Sequence, residues 1–142
     1  MTVNDHPPYR SVPGPLHAIL LGGTVALFLG ALLNDIAYYN TYQIQWSNFA
    51  SWLIAGGLLF CGLAGLFAIA NLLRADHKAG RPVVYLLLLL VTWVLGLINA
   101  FVHAKDAWAA MPTGLVLSVI VTLLAVVAAW TGFSNLRSGG AR

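Results

Sequence analysis

Four long stretches in which apolar residues follow one another almost without polar interruption make up most of the chain. They run Leu16–Tyr38, Phe49–Leu73, Pro82–Val102 and Thr113–Leu136. Each has the roughly 20 residues that a helix needs to cross a hydrocarbon layer about 30 Å thick. Helix is the expected state, because in lipid a single segment must satisfy its own backbone polar groups. The polar-apolar alternation of a transmembrane β-barrel does not occur. The segments between the runs are short, which makes consecutive runs antiparallel neighbours. The pattern therefore predicts an all-α, integral membrane four-helix up-down bundle over residues 16–136, with tails at 1–15 and 137–142.

Punctuation supports these boundaries. Pro7, Pro8, Pro13 and Pro15 disfavour helix before the first run, and Pro15 suits a first helical turn, as does Pro82 for the third run. Residues 40–48 read as a loop carrying Tyr42 and Trp46, with Tyr38, Tyr39 and Trp52 beside it, the aromatic belt expected at headgroup depth. Residues 103–112 read as a second loop on the same side.

Composition agrees with the pattern. The chain is 60% hydrophobic and 8% charged, against roughly 25% charged residues in a soluble domain. Six of the seven Lys and Arg residues, Arg10, Arg74, Lys78, Arg81, Arg137 and Arg142, fall on one side, and Lys105 falls opposite. By the positive-inside rule both termini are expected in the cytoplasm. Cations this sparse suit anionic lipid headgroups rather than a nucleic-acid patch, so the expected partners include membrane lipids and no nucleic acid. Cys61 is the single cysteine and lies within the second run, which excludes an intrachain disulfide and a CxxC site.

Small residues recur at helical spacing in every run: Gly22, Ala26 and Gly30; Gly57, Cys61 and Gly65; Gly96 and Ala100; Gly114, Ser118 and Thr122. Such stripes let helices approach closely where lipid supplies no hydrophobic drive for association. They are candidate packing faces, within the chain or against a homodimer partner or larger complex.

The polar residues at membrane depth are few. No charge lies at the centre of a run, and the chain has no Glu, which argues against an intramembrane carboxylate relay. Asp35, Asn99 and His103 form a candidate cluster toward one side, Asn99 and His103 being four residues apart on one helix face. They would serve as interhelical polar glue, as a quinol or proton site, or as the lining of a small transporter's pocket. His17 and His77 are candidate cofactor ligands at the other side, since haem b takes two imidazoles across one ring; as a capping or interfacial residue, His17 would need no cofactor. No HExxH, paired cysteines, Walker loop, GxGxxG or GxSxG occurs, so no enzymatic machinery and no metal site are expected.

Four segments carry a resemblance: Pro15-Leu-His-Ala-Ile-Leu20, Asn34-Asp-Ile-Ala-Tyr-Tyr39, Trp52-Leu-Ile-Ala-Gly-Gly-Leu58 and Met111-Pro-Thr-Gly-Leu-Val-Leu-Ser118. They are similar to a bacterial integral-membrane family catalogued as domain of unknown function 2231, over about residues 13 to 137. The resemblance implies four helices in a bacterial inner membrane. Related domains are fused to or encoded near periplasmic quinoprotein sugar dehydrogenases and cytochromes, which implies an anchoring or electron-transfer accessory role. His17 and Asp35 carry over. Two positions depart: many relatives have a histidine early in the third helix, where this chain has Tyr85, and many end in a Gly-Gly-Glu…His segment where it reads Gly132-Phe-Ser-Asn135.

The expectation is thus an accessory, anchoring or assembly subunit of a larger membrane complex, without a resident cofactor. A module binding haem b or quinone is the first alternative, and a small transporter or channel the second.

Overall fold

The computed structural model describes residues 14–74 and 80–138, with side chains through Ser134. The described residues form four long helices, α1 (Pro15–Thr41), α2 (Ile44–Arg74), α3 (Arg81–His103) and α5 (Thr113–Ser138), and a single-turn helix, α4 (Ala107–Ala110), sits between α3 and α5. Each long helix is long and apolar enough to cross a membrane. The expected four-helix architecture is therefore present, while the tail residues 1–13 and 139–142, the turn residues 75–79 and with them His77 lie outside the described residues.

The helices start and stop for local reasons. Pro15 occupies the first turn of α1, where its missing N–H removes no bond, and Pro82 does the same for α3. Gly80 precedes α3 with φ +88°, a left-handed conformation that glycine adopts without a Cβ clash. The segment expected as a loop over residues 40–48 is a two-residue turn instead, because α1 continues to Thr41 and α2 begins at Ile44. Tyr42 makes that reversal in the left-handed region (φ 54°), its N–H donating to the Tyr38 carbonyl at 2.7 Å. Asn40 Nδ2 and Thr41 Oγ1 donate to the carbonyls of Ile36 and Ala37, satisfying acceptors at the helix end.

The helices form a closed ring in which α1 packs on α2 and α5, and α3 packs on α2 and α5. Cross-helix contacts fix the register. Positions 23 and 30 of α1 meet Phe60 and Leu53 of α2, and Gly132 of α5 meets both Leu21 of α1 and Tyr85 of α3. Neighbours therefore run antiparallel, α1 and α3 lie parallel across the diagonal, and the described termini share one end of the bundle.

On the axis sits Phe28, 2% exposed. A Cβ built on Gly57 would lie 2.8 Å from its ring, and one on Gly96 would lie 3.2 Å from it. Two glycines on neighbouring helices, Gly57 of α2 and Gly96 of α3, thus make the slot that one edge of the phenyl ring fills. With Leu21, Ile54, Leu89 and Val121 packed around it, the bundle's middle is a closed apolar plug.

Candidate functional site

Two polar bridges span the α1–α3 diagonal, one near each end of the bundle. His17 Nε2 lies 2.7 Å from Tyr85 Oη, and His103 Nε2 lies 2.8 Å from Asp35 Oδ1. Both pairs are 68 residues apart in sequence, so one unbroken parallel register of α1 and α3 produces both. Along α1 the bridges are separated by 18 residues, or about 27 Å at 1.5 Å rise per residue. That is close to the thickness of a hydrocarbon core. The polar groups thus sit near the two margins of the spanning region and the Phe28 plug lies between them.

The Asp35 bridge is the larger constellation. Ser118 of α5 donates its hydroxyl to Asp35 Oδ2 at 2.5 Å, and Asn99 Nδ2 donates to Ser118 Oγ at 2.8 Å. His103 Nδ1 lies 3.0 Å from the Asn99 carbonyl oxygen, one turn back on α3. Asp35 and Asn99 are both 0% exposed, and Asn99 Oδ1 has no partner among the described residues. One turn further along α5, Thr122 Oγ1 faces two carbonyls, Phe28 O at 3.1 Å and Ser118 O at 2.7 Å. α1, α3 and α5 are therefore tied together by side chains that lipid cannot replace.

This end is roofed by aromatic rings. Tyr42, at the α1–α2 turn, stacks on Trp108 of α4 with centroids 5.5 Å apart and planes 16° apart, and meets the buried Tyr38 edge-on. The left-handed turn at Tyr42 is what brings this ring across to α4. The cluster's own residues are buried, Asp35 and Asn99 completely.

Ser118, His103 and Asp35 are the residue types of a nucleophilic triad, but their order differs. The Ser118 hydroxyl donates to Asp35 rather than to His103, so the imidazole is not placed to take its proton as it is in a triad. The arrangement holds charge and proton positions and connects helices.

At the opposite end His17 is buried between the helices. Its ring meets Phe67 and Tyr85 edge-on, and its Nδ1 has no partner among the described residues. With Nε2 engaged by Tyr85, and His103 at the far end, the described residues do not assemble the two imidazoles of a haem b site.

The chain matches the family described as predicted membrane protein (DUF2231) over residues 13–138. It belongs to that family. No curated protein and no solved structure matches it. Membership accounts for the membrane-spanning helices and leaves the family's activity open.

Within this family member the candidate residues divide in an informative way. Asp35, Asn99 and His103 do come together, Asn99 reaching Asp35 only through Ser118. Ser118 is thus a polar hub as well as a small packing residue. Gly114 makes room for chemistry too, since a Cβ there would lie 2.8 Å from His103 Cε1. Gly57, Cys61 and Gly96 face the interior as expected, Gly30 packs on Leu53 and Ala100 is half-buried. Gly22 and Gly65 have no atom within 4 Å of a Cβ position, and Ala26 is exposed. These three line two outward grooves of about 670–680 Å³, one between α1 and α5 and one between α2 and α3. Tyr85 was not among the candidate site residues, and Thr122 was expected only as a small packing residue. Tyr85's position opposite His17 shows only once the diagonal register is known.

Proposed function

We propose that this protein is an accessory or anchoring subunit, and that helices of a larger membrane complex seat in its outward grooves. The observation that carries this reading is the position of Gly22 and Gly65. Glycine is disfavoured by about 1 kcal/mol relative to alanine in a helix interior, and among the described residues nothing uses the space that these two leave open. In lipid, small residues favour association by letting backbones approach. A groove lined by Gly62, Gly65, Leu66 and Trp93, or by Gly22, Ala26, Trp130 and Phe133, offers such an approach.

The same reading sets the protein in a bacterial inner membrane with both termini in the cytoplasm. Arg74 and Arg81 flank the described part of one inter-helix turn and are exposed, while Lys105 lies at the other end. The resemblance to domains associated with quinoproteins and cytochromes favours a redox complex as the partner.

The test is purification from native membranes in mild detergent, comparing wild type with Gly65→Leu and Gly22→Leu. The expected result is a partner retained at constant stoichiometry by wild type and lost with at least one substitution, while the folded protomer persists. A lone protomer in every case, or undiminished retention by both variants, overturns the reading.

A further inference from the structure

The hydrogen bonds around His103 count protons. Nδ1 faces the Asn99 carbonyl at 3.0 Å, which can only accept, so Nδ1 carries hydrogen. Nε2 faces Asp35 Oδ1 at 2.8 Å. The single Ser118 proton is committed to Asp35 Oδ2, since Ser118 Oγ receives the Asn99 amide. A carboxylate opposite a bare Nε2 would set two lone pairs against each other and leave a net negative charge in an enclosed site. One more proton must therefore lie between Oδ1 and Nε2. It gives either imidazolium with carboxylate or neutral imidazole with carboxylic acid, and both are neutral overall.

We propose that Asp35 and His103 together form a binding site for one shared proton, and that the packed bundle requires this proton. Among the described residues no other ionisable group is placed to supply it. On α1 the next titratable group is Tyr38, one turn on, and the α3–α4 turn carries Lys105 and Asp106, both exposed. α2 contributes only Cys61 and Arg74, both far toward the other end, and α4 and the described side chains of α5 contribute none.

The sign of the linkage follows from counting. In the unfolded chain, with ordinary values of about 3.9 for Asp and about 6.5 for His, the pair holds one proton between those values, none above and two below. The folded pair holds one throughout, until it releases its own. Above about pH 6.5 folding therefore takes up a proton, and the unfolding constant rises about tenfold per pH unit. Below about pH 3.9 unfolding takes one up, and stability falls again.

Asp35→Asn separates this proposal from ordinary polar packing. The asparagine Nδ2–H would donate to a neutral Nε2 while its oxygen still accepts from Ser118, so the same network closes without a titratable proton. The experiment is denaturant unfolding of the full chain in detergent micelles from pH 5.5 to 8. Wild type is expected to lose stability with the tenfold slope above about pH 6.5, and Asp35→Asn is expected to be flat there. A flat wild type, or a variant that keeps the wild-type slope, overturns the proposal. Should the variant not fold, the ¹⁵N spectrum of the His103 imidazole in folded wild type at pH 8 decides. Nδ1 protonated and Nε2 bonded to hydrogen supports the site, whereas an Nε2 with an unengaged lone pair overturns it.

Discussion

The Phe28 slot makes a strong mutational prediction, because one substitution should have opposite signs at two glycines. At Gly57 an added Cβ would meet three atoms of the Phe28 ring at 2.8–3.0 Å. A Cβ at Gly96 would lie 3.2 Å from the same edge of the ring, so α2 and α3 together bound the space that this edge occupies. Overpacking of this kind costs about 1–3 kcal/mol, and the gain in helix propensity from Gly to Ala offsets about 1 kcal/mol. The contact involves three atoms of a rigid ring, which places Gly57→Ala at about 1–2 kcal/mol net destabilisation. At Gly22 no atom lies within 4 Å, so only the propensity term acts and Gly22→Ala should stabilise by up to about 1 kcal/mol. The two variants should then differ by roughly 2–3 kcal/mol, more than tenfold in the unfolding constant. Sodium dodecyl sulphate titration in mixed micelles, followed by circular dichroism, measures this. Phe28→Leu in the Gly57→Ala background should recover at least about 1 kcal/mol through a favourable coupling term. Equal effects at both glycines, or strict additivity of Phe28→Leu and Gly57→Ala, would refute the reasoning.

Three further outcomes are open to the same assay. Gly114→Ala sets a methyl 2.8 Å from His103 Cε1, which should push the imidazole away from Asp35, destabilise by at least about 1 kcal/mol and abolish the alkaline dependence above. Tyr85→Phe leaves His17 Nε2 without its partner and should cost about 0.6–1.7 kcal/mol, the range of interhelical hydrogen bonds measured in membranes; no change would mean that the bond contributes nothing. Thr122→Val removes a hydroxyl shared by the Phe28 and Ser118 carbonyls and should cost about 0.6 kcal/mol, with a loss above 3 kcal/mol pointing to a role beyond one hydrogen bond.

The chain by itself determined the number, type and order of the spanning helices. A bilayer about 30 Å thick leaves a continuous apolar run few choices, and Pro15 and Pro82 fix two of the starts. The helix ends at Thr41 and Ile44 were less legible, because Asn40, Gln43, Gln45 and Asn48 are polar residues that suit an exposed helical turn as readily as a loop. The Asn99–His103 pairing was legible from its four-residue spacing, and Asp35 from its rarity at that depth. Which face of each helix turns inward was decided by the tertiary structure alone. Lipid and protein interior are both apolar, so hydrophobic periodicity, which orients helices in water, carries little information here. In α1 the small residues Gly22 and Ala26 face outward while Leu21, Thr24, Phe28 and Asp35 face the axis. Only the parallel α1–α3 register sets Tyr85 on His17 and His103 on Asp35, and only α5 packing turns Ser118 from a small residue into the hub between them. Such pairings depend on complementary shape between helices, which one chain's linear pattern does not express.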